Sequence, residues 1–143
     1  MADNETPVTE EQTETAPAVD AAVESVLEII NGMENFATMT RGPLGTSNGL
    51  CCQIAPTYAE TVFMDKRVYL PLTLAINGKH ADQRTLLYTL NNIMHTLSRR
   101  MEYPSGEGWE IVDITNGNFP RIIGREDNND FIAACDIVIK IYY

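Results

Sequence analysis

The side chains best suited to metal binding or nucleophilic chemistry are three cysteines and two histidines. They are Cys51, Cys52, Cys135, His80 and His95. Zinc sites hold their ligands at regular spacings, and adjacent cysteines rarely chelate one ion without backbone strain. No histidine lies near Cys51 and Cys52 in sequence, so nothing there would lower a thiol pKa. We therefore expect no metal site, and reduced thiols packed as small apolar groups.

Charged residues in two predicted turns are the next candidates for catalysis. Asp65, Lys66 and Arg67 follow one another, and Asp127 and Asp130 lie in a later turn. Such groups can act as carboxylates with basic partners, but turns commonly carry charged residues for solvation. These residues are therefore not assigned to catalysis.

A glycine-rich stretch at 42–49 is the only candidate for a phosphate-binding loop. Its glycines are irregularly spaced, and a strand follows them instead of the N-terminus of a helix.

His95 is interpreted as a surface or boundary residue of a helix and not as a general base. We predict that the chain is not an enzyme and binds no cofactor.

The charge distribution separates the N-terminus from the rest. The net charge is −10, and every charged residue before Arg41 is acidic. Lysines and arginines form no cluster larger than a pair, which argues against sequence-specific nucleic-acid binding. No apolar run is long enough for a membrane span, and no basic-then-apolar leader is present, so we expect a soluble protein made and kept in the cytosol.

Composition also predicts the domain organisation. Residues 1–18 are rich in Thr, Glu, Ala and Pro and contain no aromatic residue, so we predict a disordered acidic tail. Residues 19–143 suffice for one domain with a single core, since 44% of the chain is apolar.

Two helices are predicted from apolar spacings of three and four residues. The stronger one, at 81–101, has a stripe of Leu86, Leu87, Leu90, Ile93, Met94, Leu97 and Met101. A shorter helix begins at Asp20 as its N-cap and ends at Asn31-Gly32.

Alternating patterns predict the strands that support these helices. The clearest is 67–77, where Pro71 indicates an edge strand or a bulge. Asn116-Gly117 predicts a tight hairpin between strands at 109–115 and 119–124, and a long strand follows at 131–143. The resulting fold class is α+β: a mostly antiparallel sheet with two helices packed on one face, in a two-layer sandwich.

The outer face of the last strand is half apolar. Ile132, Val138 and Tyr142 share it with Lys140, although a solvated face would carry mainly polar residues. Trp109 is equally compatible with the core and with an interface. Either a neighbouring subunit buries the outer face of the last strand, or the N-terminal helix crosses to that side.

The chain as a whole resembles the tail terminator, or tail completion, proteins of long-tailed bacteriophages, some of which are called minor capsid proteins. The resemblance covers roughly residues 20–143. It rests on Phe63-Met64-Asp65-Lys66-Arg67, Tyr69-Leu70-Pro71-Leu72-Thr73-Leu74, Gly78-Lys79-His80-Ala81-Asp82-Gln83, Leu86, Leu90, Ile93, Leu97, Pro120 and the long C-terminal strand. Similar sequences often have glycine at the position of Lys66, and the acidic N-terminal tail has no counterpart among them.

The resemblance implies a non-enzymatic structural protein of the virion. Such proteins form a hexameric ring that caps the tail tube at the neck and joins it to head–tail connector proteins. They assemble in the host cytoplasm, and DNA can pass through the ring. A ring of identical subunits is a head-to-tail arrangement, so each copy should carry two different contact patches. The candidate subunit-interface residues are Asp65, Lys66, Arg67, Tyr69, Trp109, Ile132, Val138, Lys140 and Tyr142.

Two other interpretations remain open. The chain can be a monomeric or dimeric adaptor that uses its acidic tail to approach a basic partner. It can also be a small enzyme that uses one of its cysteines. Oligomeric state distinguishes the ring from the adaptor, and loss of an activity on thiol alkylation would indicate the enzyme.

Overall fold

The computed structural model describes residues 17–42, 49–55, 61–126 and 129–143. Within these ranges the chain forms two α-helices and eight β-strands. In chain order they are α1 (Pro17–Asn31), β1 (Met39–Arg41), β2 (Gly49–Ile54), β3 (Thr61–Val62), β4 (Val68–His80), α2 (Gln83–Ser98), β5 (Ser105–Gly106), β6 (Trp109–Asn116), β7 (Arg121–Arg125) and β8 (Phe131–Tyr142). The predicted α+β class is confirmed.

Helix α2 is shorter than the predicted helix at 81–101. Asp82 is its N-cap, because its carboxylate accepts hydrogen bonds from the Arg84 backbone N–H (3.2 Å) and the Thr85 hydroxyl (2.7 Å). Met101 lies beyond the end of the helix and is 95% exposed, so its place in the stripe was wrong. The predicted stripe residues that are fully buried are Leu86, Leu90, Ile93, Met94 and Leu97.

Helix α1 begins earlier than its predicted start at Asp20. Pro17 suits a first turn because its missing N–H would have no partner there. Pro17 and Ala18 therefore belong to α1 and not to the tail, whose residues 1–16 lie outside the described ranges. The Asp20 carboxylate accepts a hydrogen bond from Arg41 (2.6 Å), which also binds Glu24 (3.0 Å).

The sheet is built around β4 and β8. These strands pair antiparallel from Tyr69–Tyr142 to His80–Phe131. The strand order is β1-β2-β4-β8-β6-β5, with β3 also pairing with β4 and β7 also pairing with β8. Leucines and isoleucines of β4 and β8 face the two helices and form one core with them. Helix α1 contacts β1 and β6, which lie toward opposite ends of the strand order, so the sheet curls around the helices.

Strand β1 lies in a stretch for which the sequence predicts neither a helix nor a strand. It pairs parallel with β2. The Asn31 side chain accepts a hydrogen bond from the Met39 N–H (2.8 Å) and donates one to the Met39 carbonyl (3.2 Å). This amide occupies the edge where another strand would otherwise pair. Three residues are too few for an alternating pattern to be detected.

The predicted hairpin at Asn116-Gly117 is wrong. Strands β6 and β7 run in the same direction and both pair with β8, one after the other. At the junction, the Asn118 side-chain amide donates to the Asp136 carboxylate (3.1 Å), and the Gly117 N–H donates to the Asp136 carbonyl (2.9 Å). A Cβ on Gly117 would overlap that carboxylate. Glycine is therefore needed here for close approach, and the chain continues along β8 instead of reversing.

Two further expectations for β4 are corrected. The strand lies inside the sheet and not at an edge, and it continues through Asn77 and Gly78 to His80. Pro71 lies between the β4 residues that pair with β2 and those that pair with β3.

A Cβ on Gly78 would lie 2.7 Å from the Leu86 side chain, so glycine lets the first turns of α2 approach the sheet.

Candidate subunit interface

The turn between β3 and β4 exposes a group of apolar side chains. Val62, Phe63 and Met64 are 56%, 41% and 100% exposed. The Asp65 carboxylate accepts a hydrogen bond from the Arg67 backbone N–H (3.1 Å), which fixes the turn. Exposed apolar side chains grouped in this way mark contact sites on soluble proteins.

Tyr142 joins this turn to the end of β8. Its ring stacks on Phe63, with centroids 5.8 Å apart, and lies 5.1 Å from the ring of Tyr69. The Arg67 guanidinium lies 5.6 Å from the Tyr142 centroid and 3.9 Å from the Glu110 carboxylate. A depression of about 560 Å³ results, lined by Phe63, Met64, Asp65, Arg67 and Tyr142. We call these five residues the hairpin patch.

Lys66 occupies a special position in the same turn. Its φ is 73°, in the left-handed region that favours glycine. Its backbone N–H donates to the Phe63 carbonyl (2.9 Å), and its side chain is exposed. The backbone here explains why glycine would suit this position.

The remaining predicted residues on β8 do not form a continuous apolar strip. Val138 pairs with Thr73 on one side and Thr115 on the other, and all three are half-buried. Lys140 lies opposite Pro71 in β4, and Ile132 lies toward the other end of β8. The structure thus brings Asp65, Arg67, Tyr69 and Tyr142 together, while Ile132, Val138 and Lys140 are spread along the outer face.

Trp109 contributes at least in part to the fold. It is half-buried and packs against the core. Its indole also covers Gly106, where a Cβ would overlap the ring nitrogen. Gly106 therefore makes room for the tryptophan ring.

A second apolar surface was missed at the sequence level. Tyr88 and Phe119 are 70% and 62% exposed. They border a groove of about 820 Å³ between α2 and the segment before β7. We call this the helix groove; it is lined by Asp82, Gln83, Arg84, Leu87, Tyr88, Asn91, Phe119 and Pro120. The sequence did contain one signal for this surface: Tyr88 is an aromatic residue on the polar face of an amphipathic helix.

The thiols are buried and unsuited to nucleophilic attack. All three cysteines are free. Burial raises the pKa of Cys52 to about 11 and that of Cys135 to about 12. Burial also raises the pKa of Cys51. A thiol that keeps its proton is a poor nucleophile and a poor metal ligand.

Lys79, His80 and Asp130 lie near the end of the β4–β8 pair that is opposite Tyr142. Lys79 is 1% exposed, and its ammonium lies 2.8 Å from the Glu126 carboxylate. Asp130 is buried, and Asp127 lies outside the described residues. His80 contacts the Phe36 ring edge-on, and its Nδ1 accepts a hydrogen bond from the Asp82 N–H (2.9 Å).

Within the described ranges, no group of three or more His, Cys, Asp or Glu side chains is placed to hold a metal ion. Neither of the helices in those ranges has both the length and the apolar character needed to span a membrane.

No protein-family profile and no curated protein sequence matches the chain. Among solved structures, a chain from the virion of a native gene transfer agent (GTA) particle has a similar fold. The TM-score is 0.59 at 11% sequence identity, and the similarity covers 90% of this chain and 100% of the other. The two chains therefore share a fold over the whole length of the virion chain.

Proposed function

We propose that this protein is a non-enzymatic structural component of a phage-like particle, and that it acts as a tail terminator. In this role it forms a hexameric ring on the tail tube, stops tube growth and presents a surface to the head–tail connector. The observation that carries the proposal is the fold shared with a chain of a gene transfer agent virion.

The hairpin patch supports a role in assembly. Met64 is fully exposed beside Phe63 and Tyr142, and leaving such side chains in water forgoes about 1.5 to 3 kcal/mol each that burial provides. A neighbouring subunit would supply that burial. At the β1 edge the Asn31 side chain binds the Met39 N–H and carbonyl, so we assign the contact to side-chain surfaces and not to strand pairing at β1.

The buried thiols also agree with a structural role. Cys52 and Cys135 lie in the core, and their pKa values are far above neutral pH. They contribute packing, as small apolar groups do. The reactive, partly exposed thiol that an enzyme would need is not provided by these two residues.

The oligomeric state of the purified protein tests the proposal. Sedimentation velocity over a wide concentration range should show a discrete assembly, and negative-stain images of that species should show rings. A protein that stays monomeric at every concentration, and that forms no ring when mixed with purified tail tubes, would contradict the proposal and favour the adaptor interpretation.

The outer face of β8 is part of the proposed interface and has its own test. Val138→Asp combined with Tyr142→Ser should leave a cooperative thermal melt but shift the protein from assembled to monomeric, because apolar contacts are lost and a charge is introduced. Met101→Asp is a matched control, since Met101 is exposed after the end of α2 and does not lie on the sheet. Unchanged assembly of the double variant would remove this face from the interface.

A further inference from the structure

We propose that the hairpin patch of one copy inserts into the helix groove of a second copy, in a head-to-tail contact. The inference rests on the proposed ring and names the two surfaces that build it. A closed ring requires two different patches on each subunit, because each copy contacts one neighbour with each patch.

Both surfaces carry exposed apolar side chains. Met64 is fully exposed at the turn, where it lines a depression together with Phe63 and Tyr142. The helix groove has Leu87, Tyr88 and Phe119 among its lining residues. Insertion of the Met64 side chain into the groove of a second copy removes apolar surface from water on both copies.

The charges beside the two surfaces are also complementary. The hairpin carries Asp65 and Lys66, and the groove carries Arg84 and Asp82, all exposed. Within the described part of the chain, neither Lys66 nor Arg84 has an ion-pair partner. Docking the hairpin in one direction pairs Asp65 with Arg84 and Lys66 with Asp82.

Asp82 can take such a contact without giving up its role in the helix. One carboxylate oxygen accepts from the Arg84 N–H and the other from the Thr85 hydroxyl. Each carboxylate oxygen has a second acceptor position, so an ammonium from a neighbouring copy can bind as well.

Single charges placed in either surface test the contact. Met64→Asp and Tyr88→Asp should each weaken assembly at least tenfold in sedimentation velocity. At concentrations low enough for the parent to dissociate, both should leave the thermal midpoint unchanged, since both side chains are exposed. Met101→Asp is the matched control: Met101 is 95% exposed and lines neither surface, so this variant should assemble like the parent.

Mixing the two defective variants distinguishes a head-to-tail contact from a symmetric one. The Met64→Asp copy retains an intact groove and the Tyr88→Asp copy an intact hairpin, so an equimolar mixture should form dimers and no rings. A mixture that stays monomeric would overturn the inference. So would a Tyr88→Asp protein that assembles like the parent, although the ring itself would stand.

A double-mutant cycle tests the orientation of the contact. Asp65→Asn, whose amide oxygen can still accept from the Arg67 N–H, and Arg84→Gln should each weaken assembly, and the double variant should be no weaker than the worse single variant. Additive losses in the double variant would overturn the proposed pairing. A parent protein that is monomeric under all conditions would remove the ring and this contact together, whereas the outcomes above remove only the contact.

Discussion

The inner face of β4 and the turn that precedes it show two different uses of apolar side chains. On the inner face, Leu72, Leu74 and Ile76 are at most 2% exposed because α1 and α2 cover them. In the turn, Phe63 and Met64 lie outside that cover and are 41% and 100% exposed. Residues of the first kind stabilise the subunit. Residues of the second kind leave stability nearly unchanged and remain available for a partner.

The largest expected effect on stability comes from the core. Leu90→Ala should lower the free energy of unfolding by about 2 to 5 kcal/mol, because Leu90 is fully buried and its removal leaves a cavity beneath α2. Urea unfolding measures the change. Tyr88→Ala on the exposed side of the same helix should cost about 0.5 kcal/mol or less. Similar losses for both variants would mean that Leu90 does not lie on the buried side of α2, or that Tyr88 does not lie on its exposed side.

Close packing between α2 and the sheet predicts the next effect. Gly78→Ala should cost about 1 to 3 kcal/mol, because the added Cβ would lie 2.7 Å from Leu86 and 3.1 Å from Leu50, both fully or almost fully buried. Gly124→Ala is the control, since a Cβ there meets no atom within 4 Å. Equal stability of the two variants would refute the close approach of α2 at Gly78.

The buried thiols predict a pH dependence. Unfolded thiols ionise near 9.0, whereas folded Cys52 and Cys135 keep their protons to about 11 and about 12. The unfolded state therefore binds fewer protons above pH 9, and stability should fall with rising pH by about 1.4 kcal/mol per pH unit for each thiol. Below that range neither state is ionised, and the effect disappears.

Comparison with Cys135→Ala isolates one thiol from the lysines and tyrosines that titrate in the same range. The free energy of unfolding of parent and variant should run parallel near pH 8 and converge at higher pH, because the variant lacks the Cys135 contribution. Curves that stay parallel to about pH 11 would show that this thiol is not protected by burial.

The strongly periodic parts of the fold were predictable from the sequence. The stripe of α2 and the alternation in β4 and β8 each repeat over enough residues to specify one buried face. The junction at Gly117 was not predictable, because Asn-Gly usually marks a hairpin and only the distant Asp136 changes that outcome. Strand β1 escaped detection because its three residues are too few to show an alternating pattern.

The candidate interface was predictable only in part. Asp65, Arg67 and Tyr142 are among the predicted residues, but the turn brings them to Phe63 and Met64, whose exposure cannot be read from composition. Tyr88 and Phe119 are far apart in sequence and meet only because the chain leaves β6 near the outer side of α2. Surfaces formed by the tertiary fold give no periodic signal.

Substitution of Lys66 should have the smallest effect on stability, and it should change stability and assembly in opposite directions. Lys66 has φ 73°, a conformation that costs an L-residue about 1 to 2 kcal/mol, whereas glycine adopts it without that cost. Glycine also makes the unfolded chain more flexible, which offsets about 0.4 to 1 kcal/mol. Lys66→Gly should therefore stabilise the subunit by up to about 1.6 kcal/mol in urea unfolding, while assembly weakens because the cation facing Asp82 of the next copy is lost. Lys66→Ala removes the same charge but keeps the unfavourable backbone conformation, so it should weaken assembly equally without the gain in stability.

Assembly that is unaffected in both variants would exclude Lys66 from the contact. Equal stability of the two variants would show that the turn relaxes when the side chain at position 66 changes.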